Sequence, residues 1–312
     1  MNIAADSQSG RLLHLGALRF SGADAASFLQ GQISCDTRRL AQAHSLLAAY
    51  SNAQGRALAL LHVLPHSSGI VAILPRELVA PTLESLRKYV LRARVDMEDA
   101  SDLLWVYGQH GFMPLQLVQM PSEGYIERDG VGVATVGKDA TRHWIIGDES
   151  SLARQGLAGG IVHAARIEHD WRLADIRAGL PQIYLATREA FVAQMLNLDL
   201  LDGISFSKGC YTGQEIFART QHLGRIKRRL YRLQLPEGQW SVGQTLRLTD
   251  GRSGRLVEVA RIESAFEALA VLNVDAGSAG AGAGETGHAA GAEFAVNSAV
   301  AARQLPLPYA LS

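Results

Sequence analysis

Residues Ser205 to Arg229 read SFSKGCYTGQEIFARTQHLGRIKRR and concentrate reactive and charged groups of the chain in one segment. In it, Cys210 stands between Gly209 and Gly213, and Lys208 precedes it by two residues. Glycine permits backbone conformations that are closed to other residues, and it lets a partner approach the sulfur. Neighbouring cationic side chains favour the thiolate, which is the nucleophilic and metal-binding form of cysteine. The pattern fits a functional thiol and also a small buried cysteine in a tight turn, and both interpretations stay open here.

Size and composition place the chain among ordinary globular proteins. Its 312 residues exceed what one core usually holds, so we expect about two domains. Lys+Arg and Asp+Glu both number 30, so the chain has no overall basic field to attract nucleic acid. The two cysteines, Cys35 and Cys210, form no CxxC pair. This spacing argues against a disulfide framework and against a resident metal site.

The chain also lacks the marks of export. Residues 1–10 have no basic start and no apolar core of a signal peptide. No apolar run approaches the roughly 20 residues that cross a bilayer. We therefore expect a cytoplasmic monomer with no membrane association.

The hydrophobic periodicity predicts an α+β protein with two regions. Residues 1–228 form an α+β region, and residues 229–312 form a small antiparallel β-barrel with a Gly/Ala-rich loop at 277–291. The predicted helices are 25–30, 82–94 and 164–176. The predicted strands are 11–20, two runs within 46–64 joined by a hairpin at 51–55, 70–74, 95–97, 103–107, 131–136, 143–146, 230–235, 245–248, 255–262, 268–274 and 294–300.

Some polar residues outside the opening stretch could serve a site. Gln32 and Asp36 lie in the polar segment after the first helix and are weaker candidates for lining a site. His62 sits in an apolar strand pattern, which is more typical of a core residue than of a ligand. The basic positions of helix 82–94 fit a solvated face better than an anion-binding face.

Residues 208–215, Lys-Gly-Cys-Tyr-Thr-Gly-Gln-Glu, followed by Ala218-Arg219 and Leu223-Gly224, resemble the signature of the YgfZ folate-binding proteins. That family is related to the aminomethyltransferase (T protein) of the glycine cleavage system. A second segment, DAASFLQGQISCD at 24–36, resembles an early motif of the same family. The resemblance extends from about residue 11 into the C-terminal strands and is weak across 111–160.

This resemblance implies an aminomethyltransferase-like folate-binding fold. Two interwoven α+β lobes and a C-terminal β-barrel would surround a central opening that binds tetrahydrofolate or a one-carbon derivative. It also implies a role in the assembly or repair of iron–sulfur clusters in a subset of enzymes, with iron–sulfur proteins or assembly factors as partners. Cys210 stands at the motif's cysteine, as a functional thiol and a possible transient cluster ligand.

A folate site needs a slot for the flat pterin, hydrogen-bond partners for its edge and cations for the glutamate tail. Lys208 is expected to assist the thiol and to bind the cofactor. Tyr211 fits a ring-stacking role and an ordinary core role about equally well. The candidate cofactor-binding residues are Lys208, Tyr211, Gly213, Gln214, Glu215, Arg219 and Arg225.

Two other functions remain open. The first is a folate-dependent aminomethyl transferase, but those enzymes carry an aspartate soon after the glycine of the early hairpin, and residues 55–60 contain no acid. Their helix-ending Glu-Ala-Gly also appears here as Arg177-Ala178-Gly179, although Glu168 or Asp175 could substitute. Whether the chain is an enzyme therefore stays open, and an ordinary transferase is not expected.

The second alternative is a tRNA-linked binding module. Its basis is the short basic run from Arg225 to Arg232, which includes Tyr231. A basic strand edge explains the same run more simply in a chain without net charge, so nucleic acid is not the expected partner.

Overall fold

The structure, a computed structural model, describes residues 8–42, 44–111, 124–137, 141–157, 164–222, 224, 226–274 and 299–311. The helices are α1 (Ala25–Gln30), α2 (Val79–Arg87), α3 (Glu149–Arg154), α4 (Ala164–Ala178) and α5 (Gln214–His222). The strands are β1 (Gln8–Arg11), β2 (Leu15–Ser21), β3 (Leu46–Ser51), β4 (Ala57–His66), β5 (Gly69–Pro75), β6 (Asp96–Asp99), β7 (Trp105–His110), β8 (Tyr125–Arg128), β9 (Val131–Thr135), β10 (Arg142–Gly147), β11 (Arg228–Leu235), β12 (Thr245–Arg247), β13 (Ser253–Ile262), β14 (Ala265–Asn273) and β15 (Arg303–Leu305).

These strands form three antiparallel sheets of five strands each. Their orders are β3-β4-β5-β2-β6, β1-β7-β10-β9-β8 and β12-β13-β14-β11-β15. Helices and antiparallel sheets are mixed, which confirms the α+β class. One buried cluster joins the first sheet to strands of the third, so the division at residue 228 stays a prediction.

The hairpin predicted at 51–55 joins β3 to β4. The Asn52 side chain accepts hydrogen bonds from the backbone N–H groups of Gln54 and Arg56 at 3.1 and 3.0 Å. Gly55 takes a φ of +70°, a region that glycine enters at little cost. The turn chemistry in the sequence thus fixed this hairpin locally.

The helix predicted at 82–94 is wrong in its bounds, because α2 covers Val79–Arg87. The apolar spacing that extended the prediction includes Leu91, which is 88% exposed and faces no core. After Arg87 the chain must turn back so that β6 can pair with β2. Tertiary pairing therefore overrides the helical pattern beyond that residue.

The third sheet contains the strands predicted for the C-terminal region, but the barrel is not confirmed. In the described part of the chain, the strand ladders of this sheet run in the order β12-β13-β14-β11-β15 and do not close into a ring. Beyond these ladders, an isolated bridge pairs Leu248 with Val300. The predicted strand 294–300 lies mostly outside the described residues, as does the loop 277–291. β15 is formed instead by Arg303–Leu305.

Helix α4 packs closely on the second sheet because two paired strand positions are glycines. Gly10 and Gly108 lie opposite each other in the β1–β7 ladder. A Cβ atom at Gly10 would lie 2.2 Å from Cδ1 of Ile167, and one at Gly108 would lie 2.5 Å from Cε3 of Trp171. The missing side chains therefore make the space into which α4 places Ile167 and Trp171.

The opposite side of α4 is tied to the third sheet by two buried carboxylates. Glu258 of β13 accepts a hydrogen bond from Arg172 at 2.5 Å. Glu267 of β14 accepts hydrogen bonds from Arg177 at 2.8 Å and from Arg232 at 2.6 Å. A buried carboxylate is costly unless it is paired, so Glu258 and Glu267 depend on the arginines that donate to them.

We expect Glu267→Gln to lower the free energy of unfolding by about 2 kcal/mol, since it removes charge-assisted hydrogen bonds to two arginines. Burial alone would raise the pKa of Glu267, but the hydrogen bonds from Arg177 and Arg232 outweigh it and lower the pKa below the ordinary 4.5. The ionised form is thus the stabilised one, and its contribution is present above pH 4.5 and is lost as the pH falls through the lowered value.

Urea denaturation at pH 7 and at pH 3 tests this expectation. The difference between wild type and Glu267→Gln should shrink at the lower pH. Glu263→Gln, at an exposed position, is the control and should leave stability unchanged. An equal effect of the two substitutions at pH 7 would contradict the role assigned to Glu267.

Candidate functional site

The loop that carries Cys210 packs against the end of α1. The backbone N–H of Ser205 donates to the carbonyl of Ser34 at 2.9 Å, and the Ser34 hydroxyl donates to the carbonyl of Gly203. The Cys210 side chain is exposed, whereas Cys35 is buried and its pKa is raised to about 12 by burial. The interpretation of Cys210 as a buried structural cysteine is therefore wrong.

Lys208 has a structural position that the sequence did not predict. Its side chain is 4% exposed. Its ammonium donates to three backbone carbonyls, those of Gln30 at 2.6 Å, Ile33 at 2.7 Å and Cys35 at 2.7 Å. An ammonium has three donors, so these bonds use all of them. Burial lowers the pKa of Lys208 to about 8, which still leaves the group protonated at neutral pH.

Tyr211 and Gly213 also have packing roles. The Tyr211 ring lies 4.5 Å from Nζ of Lys208 and 6.1 Å from the Phe217 ring, and it is 7% exposed. Gly213 has a φ of +84°, and a Cβ atom there would lie 3.1 Å from Cα of Gly55 in the early hairpin. Of the two roles considered for Tyr211, these contacts favour the core role.

The other predicted cofactor-binding residues lie on α5 or outside the description. Gln214 is half-buried at the start of this helix, and Glu215 and Arg219 are exposed on it. Arg225 lies outside the described residues. The polar segment after α1 makes local bonds: Asp36 accepts from Arg38 at 2.6 Å, and this bond lowers the pKa of Asp36.

A cavity of about 690 Å³ lies between α4, the first two sheets and the C-terminal segment. Its walls come from β3, β4, β7, β9, β10 and α4, and Pro308 and Tyr309 complete them. No described residue of the 205–229 stretch is among its lining residues. The Cys210 thiol and this cavity are therefore separate features of the described structure, and the predicted cofactor-binding residues of α5 and its preceding loop do not line it.

The most unusual side chain in the cavity wall is Arg142, at the start of β10. It is 2% exposed, and its Nη2 donates to Oδ1 of Asp175 at 2.6 Å. The guanidinium carbon lies 4.4 Å from the centre of the Trp171 ring. Nε and Nη1 of Arg142 have no hydrogen-bond partner among the described residues. A buried guanidinium is costly when two of its nitrogens lack an acceptor.

Two further lining residues have buried polar atoms for which the described part of the chain offers no partner. These atoms are Oγ1 of Thr135 and Nε1 of Trp171. His62 also lines the cavity, with its ring 4.6 Å from that of Trp144. Burial, together with the charge of Arg142, lowers the pKa of His62 to about 4, so its imidazole is neutral at pH 7. The cavity wall thus joins aromatic rings to hydrogen-bonding groups that the fold leaves unused.

The remaining charged lining residues are already paired. Arg39 donates to Asp202 at 2.5 Å, and Arg177, which occupies the position of the transferases' glutamate, bonds to Glu267. Of the two acids considered as substitutes, Asp175 is bonded to Arg142, and Glu168 lies 3.5 Å from His14. No motif in the sequence pointed to Arg142, Thr135 and Trp171 as residues that line a cavity. The one available signal was an arginine opening an otherwise apolar strand.

We expect Lys208→Met to lower the free energy of unfolding by about 3 kcal/mol, because it leaves three carbonyls at the end of α1 without their donor. Chemical denaturation measures the loss. Lys227→Met is the control, since Lys227 is exposed and its loss should be nearly neutral. Equal stability of the two variants would show that the three bonds to Lys208 are not needed for folding.

Comparison with known proteins finds relatives that carry the same name. No protein-family model matches the chain. A tRNA-modifying protein YgfZ from Colwellia psychrerythraea is 28% identical over 226 residues, covering 70% of this chain and 69% of that protein. A tRNA-modifying protein YgfZ from Aliivibrio fischeri is 29% identical over 262 residues, covering 81% of each.

A solved structure agrees in fold. The glycine cleavage system aminomethyltransferase T from Bartonella henselae superimposes with a TM-score of 0.55 at 12% identity, over 86% of this chain and 78% of that one. Within the described residues, none of the helices combines the length and the apolar character needed to cross a membrane. The relatives, which carry one name, show that this chain belongs to the YgfZ family.

Proposed function

We propose that this chain is a tetrahydrofolate-binding accessory protein that supports the assembly or repair of iron–sulfur clusters in a subset of enzymes. The observation that carries the proposal is the cavity, whose wall offers aromatic rings and unused buried hydrogen-bonding groups. The aminomethyltransferase fold supports it, because the similar solved structure is a glycine cleavage enzyme. The relatives' name supports a client among enzymes that modify tRNA.

The cavity fits tetrahydrofolate or a one-carbon derivative in size and chemistry. Sites for ligands of this size usually measure about 300–1,000 Å³ and are largely apolar with a few polar groups. Trp171 and His62 offer flat surfaces, and Arg142 offers donors. Arg39 and Arg177 are the more exposed cations of the wall and suit the carboxylates of a glutamate tail.

The role of the motif around Cys210 is to present the thiol at the surface. Lys208 secures the loop to the end of α1, and Gly213 lets the loop meet the early hairpin. Glu215 and Arg219 lie exposed on α5, the helix that follows the thiol, and they suit contact with a protein partner better than contact with folate. An exposed cysteine side chain can be reached by a client's cluster, or by an assembly factor carrying one. Both cysteines are free, which suits a reducing cytoplasm.

The transferase alternative has little support in the cavity. Among the described residues, the acids that line the cavity are Asp170 and Asp202. Their side chains are 40% and 70% exposed. Asp202 is bonded to Arg39, and Asp170 lies 3.7 Å from Arg166. Neither resembles a buried carboxylate that could position an amine substrate.

Direct tRNA binding by the basic run is also disfavoured. Arg229 is 4% exposed and bonded to Asp199, and Arg232 is bonded to Glu267. Arg228 is bonded to Asn273. Three of the five basic residues of the run are therefore bonded within the fold, so we propose that any link to tRNA passes through a client enzyme.

Folate binding is tested by calorimetry with 5-formyltetrahydrofolate, which is stable in air. We expect one site per chain and a raised unfolding temperature, since a ligand at 100 times its Kd adds about 2.7 kcal/mol of stability. Absence of both heat and stabilisation would overturn the folate proposal.

The thiol is tested in a deletion strain by measuring the activity of iron–sulfur enzymes. We expect Cys210→Ser to lose complementation and to keep the wild-type unfolding temperature, because the side chain is exposed. Cys35→Ala is the matched control, which should lose some stability but keep complementation, since Cys35 is 1% exposed. Full complementation by Cys210→Ser would exclude a functional thiol.

A further inference from the structure

We propose that the end of α2 and the loop that joins it to β6 form a docking surface for an iron–sulfur client enzyme. The enzyme would bind there through an acidic patch beside an apolar pocket that receives Leu91. This inference rests on the proposed iron–sulfur role and adds the place where the partner sits. The docking surface, residues 87–94, lies outside the cavity wall and outside the 205–229 stretch.

The first argument is the positive charge of the docking surface. Its exposed cations are Arg87, Lys88, Arg92 and Arg94. Within the described part of the chain, Arg94 is the one that pairs with a carboxylate, at 3.5 Å from Asp24. The whole chain has 30 basic and 30 acidic residues, so this concentration of positive charge is local. Such a surface attracts an acidic partner and guides its approach.

The second argument is the apolar side chains that stand among these cations. Leu91 is 88% exposed, and Tyr89 is 49% exposed. Val90 and Ala93 pack against the main core cluster, so they anchor the loop while Leu91 points outward. Exposed apolar groups gain from a partner's pocket, and tyrosine and arginine often dominate protein interfaces. An exposed leucine offers no hydrogen bond to a phosphate backbone, so this mixture favours a protein over a nucleic acid.

The third argument is that the fold holds this loop in place by itself. The backbone N–H of Asp24 donates to the carbonyl of Arg94 at 3.1 Å, and the N–H of Arg94 donates to Oδ2 of Asp24 at 2.8 Å. Gly22 has a φ of +100°, and a Cβ atom there would clash with the carbonyl oxygen of Arg94. A surface that is already formed loses little conformational entropy when a partner binds.

The fourth argument is the position of the docking surface relative to Cys210. Asp24, which bonds to the loop, directly precedes α1, and Lys208, which secures the Cys210 loop, bonds to carbonyls at the other end of that helix. Helix α1 has 6 residues, which span about 9 Å. Its exposed residues Ala26 and Ser27 are small. A client that lies along α1 can therefore contact the docking surface and the thiol together.

Leu91→Ser tests the apolar contact. The probe is the iron–sulfur enzyme whose activity the deletion strain loses, purified and titrated with the full chain. We expect the Kd to rise about tenfold and the unfolding temperature to stay unchanged, because Leu91 is exposed. Leu103→Ser is the matched control. Leu103 is 54% exposed and lies beyond the far end of β6, so this variant should bind as tightly as the wild type.

The double variant Lys88→Glu with Arg92→Glu tests the charge. Both side chains are exposed, so the variant should fold as the wild type does. We expect it to bind the same enzyme about tenfold more weakly at low salt, and the difference from the wild type should shrink at high salt because salt screens exposed charges. The matched control is Arg247→Glu with Arg303→Glu, at exposed positions of the third sheet. Complementation of the deletion strain should fall with both docking-surface variants and stay complete with both controls.

The outcomes separate this inference from the proposed function. If the deletion strain loses no iron–sulfur enzyme activity, the proposed function fails and the docking surface fails with it. If an activity is lost but both docking-surface variants restore it and bind the enzyme as tightly as the wild type, the iron–sulfur role stands and the docking assignment is wrong.

Transfer RNA and vesicles that contain phosphatidylglycerol are the competing probes. If the docking-surface variants lose affinity for either of these and keep their affinity for the enzyme, residues 87–94 serve a nucleic acid or a membrane instead. That result would also overturn the assignment.

Discussion

Helix α4 is held between two sheets by contacts of opposite kind, and the cavity depends on that placement. On one side, Trp171 and Ile167 enter the space left by Gly108 and Gly10 in the second sheet. On the other side, Arg172 and Arg177 pair with buried carboxylates of the third sheet. The close packing of α4 on the second sheet requires glycine at these strand positions, and the buried carboxylates of the third sheet require the arginines of α4. Neither contact therefore tolerates much displacement of the helix.

The cavity exists because this helix meets the sheets along only part of its surface. Trp171 contributes to the packing and also to the cavity wall, and Arg142 lies between its ring and Asp175. This arrangement lowers the free energy of unfolding, because several polar atoms there have no hydrogen-bond partner among the described residues. Such a loss is expected where the fold keeps groups ready for a ligand.

The motif around Cys210 follows a different physical logic. A glycine with positive φ, a lysine with three carbonyl partners and a tyrosine packed on a phenylalanine hold one loop in place. Most of the motif therefore supports the loop, and the cysteine is the member left at the surface. A long residue-specific motif need not consist of residues that all touch a ligand.

Four features could be predicted from the amino-acid sequence: the α+β class, the early hairpin with Asn52 and Gly55, helix α1 with its bounds, and the family, through residues 208–215. Each of these depends on local spacing and turn chemistry, which a sequence displays directly. Three other features depend on contacts between distant segments: the end of α2 at Arg87, the bonds from Lys208 to backbone carbonyls, and the meeting of Arg142, Thr135 and Trp171 in one cavity wall. These three residues are separated along the chain and come together through strand pairing and the packing of α4. No spacing rule in one sequence reveals which buried polar atoms are left without a partner, because that depends on contacts between distant segments.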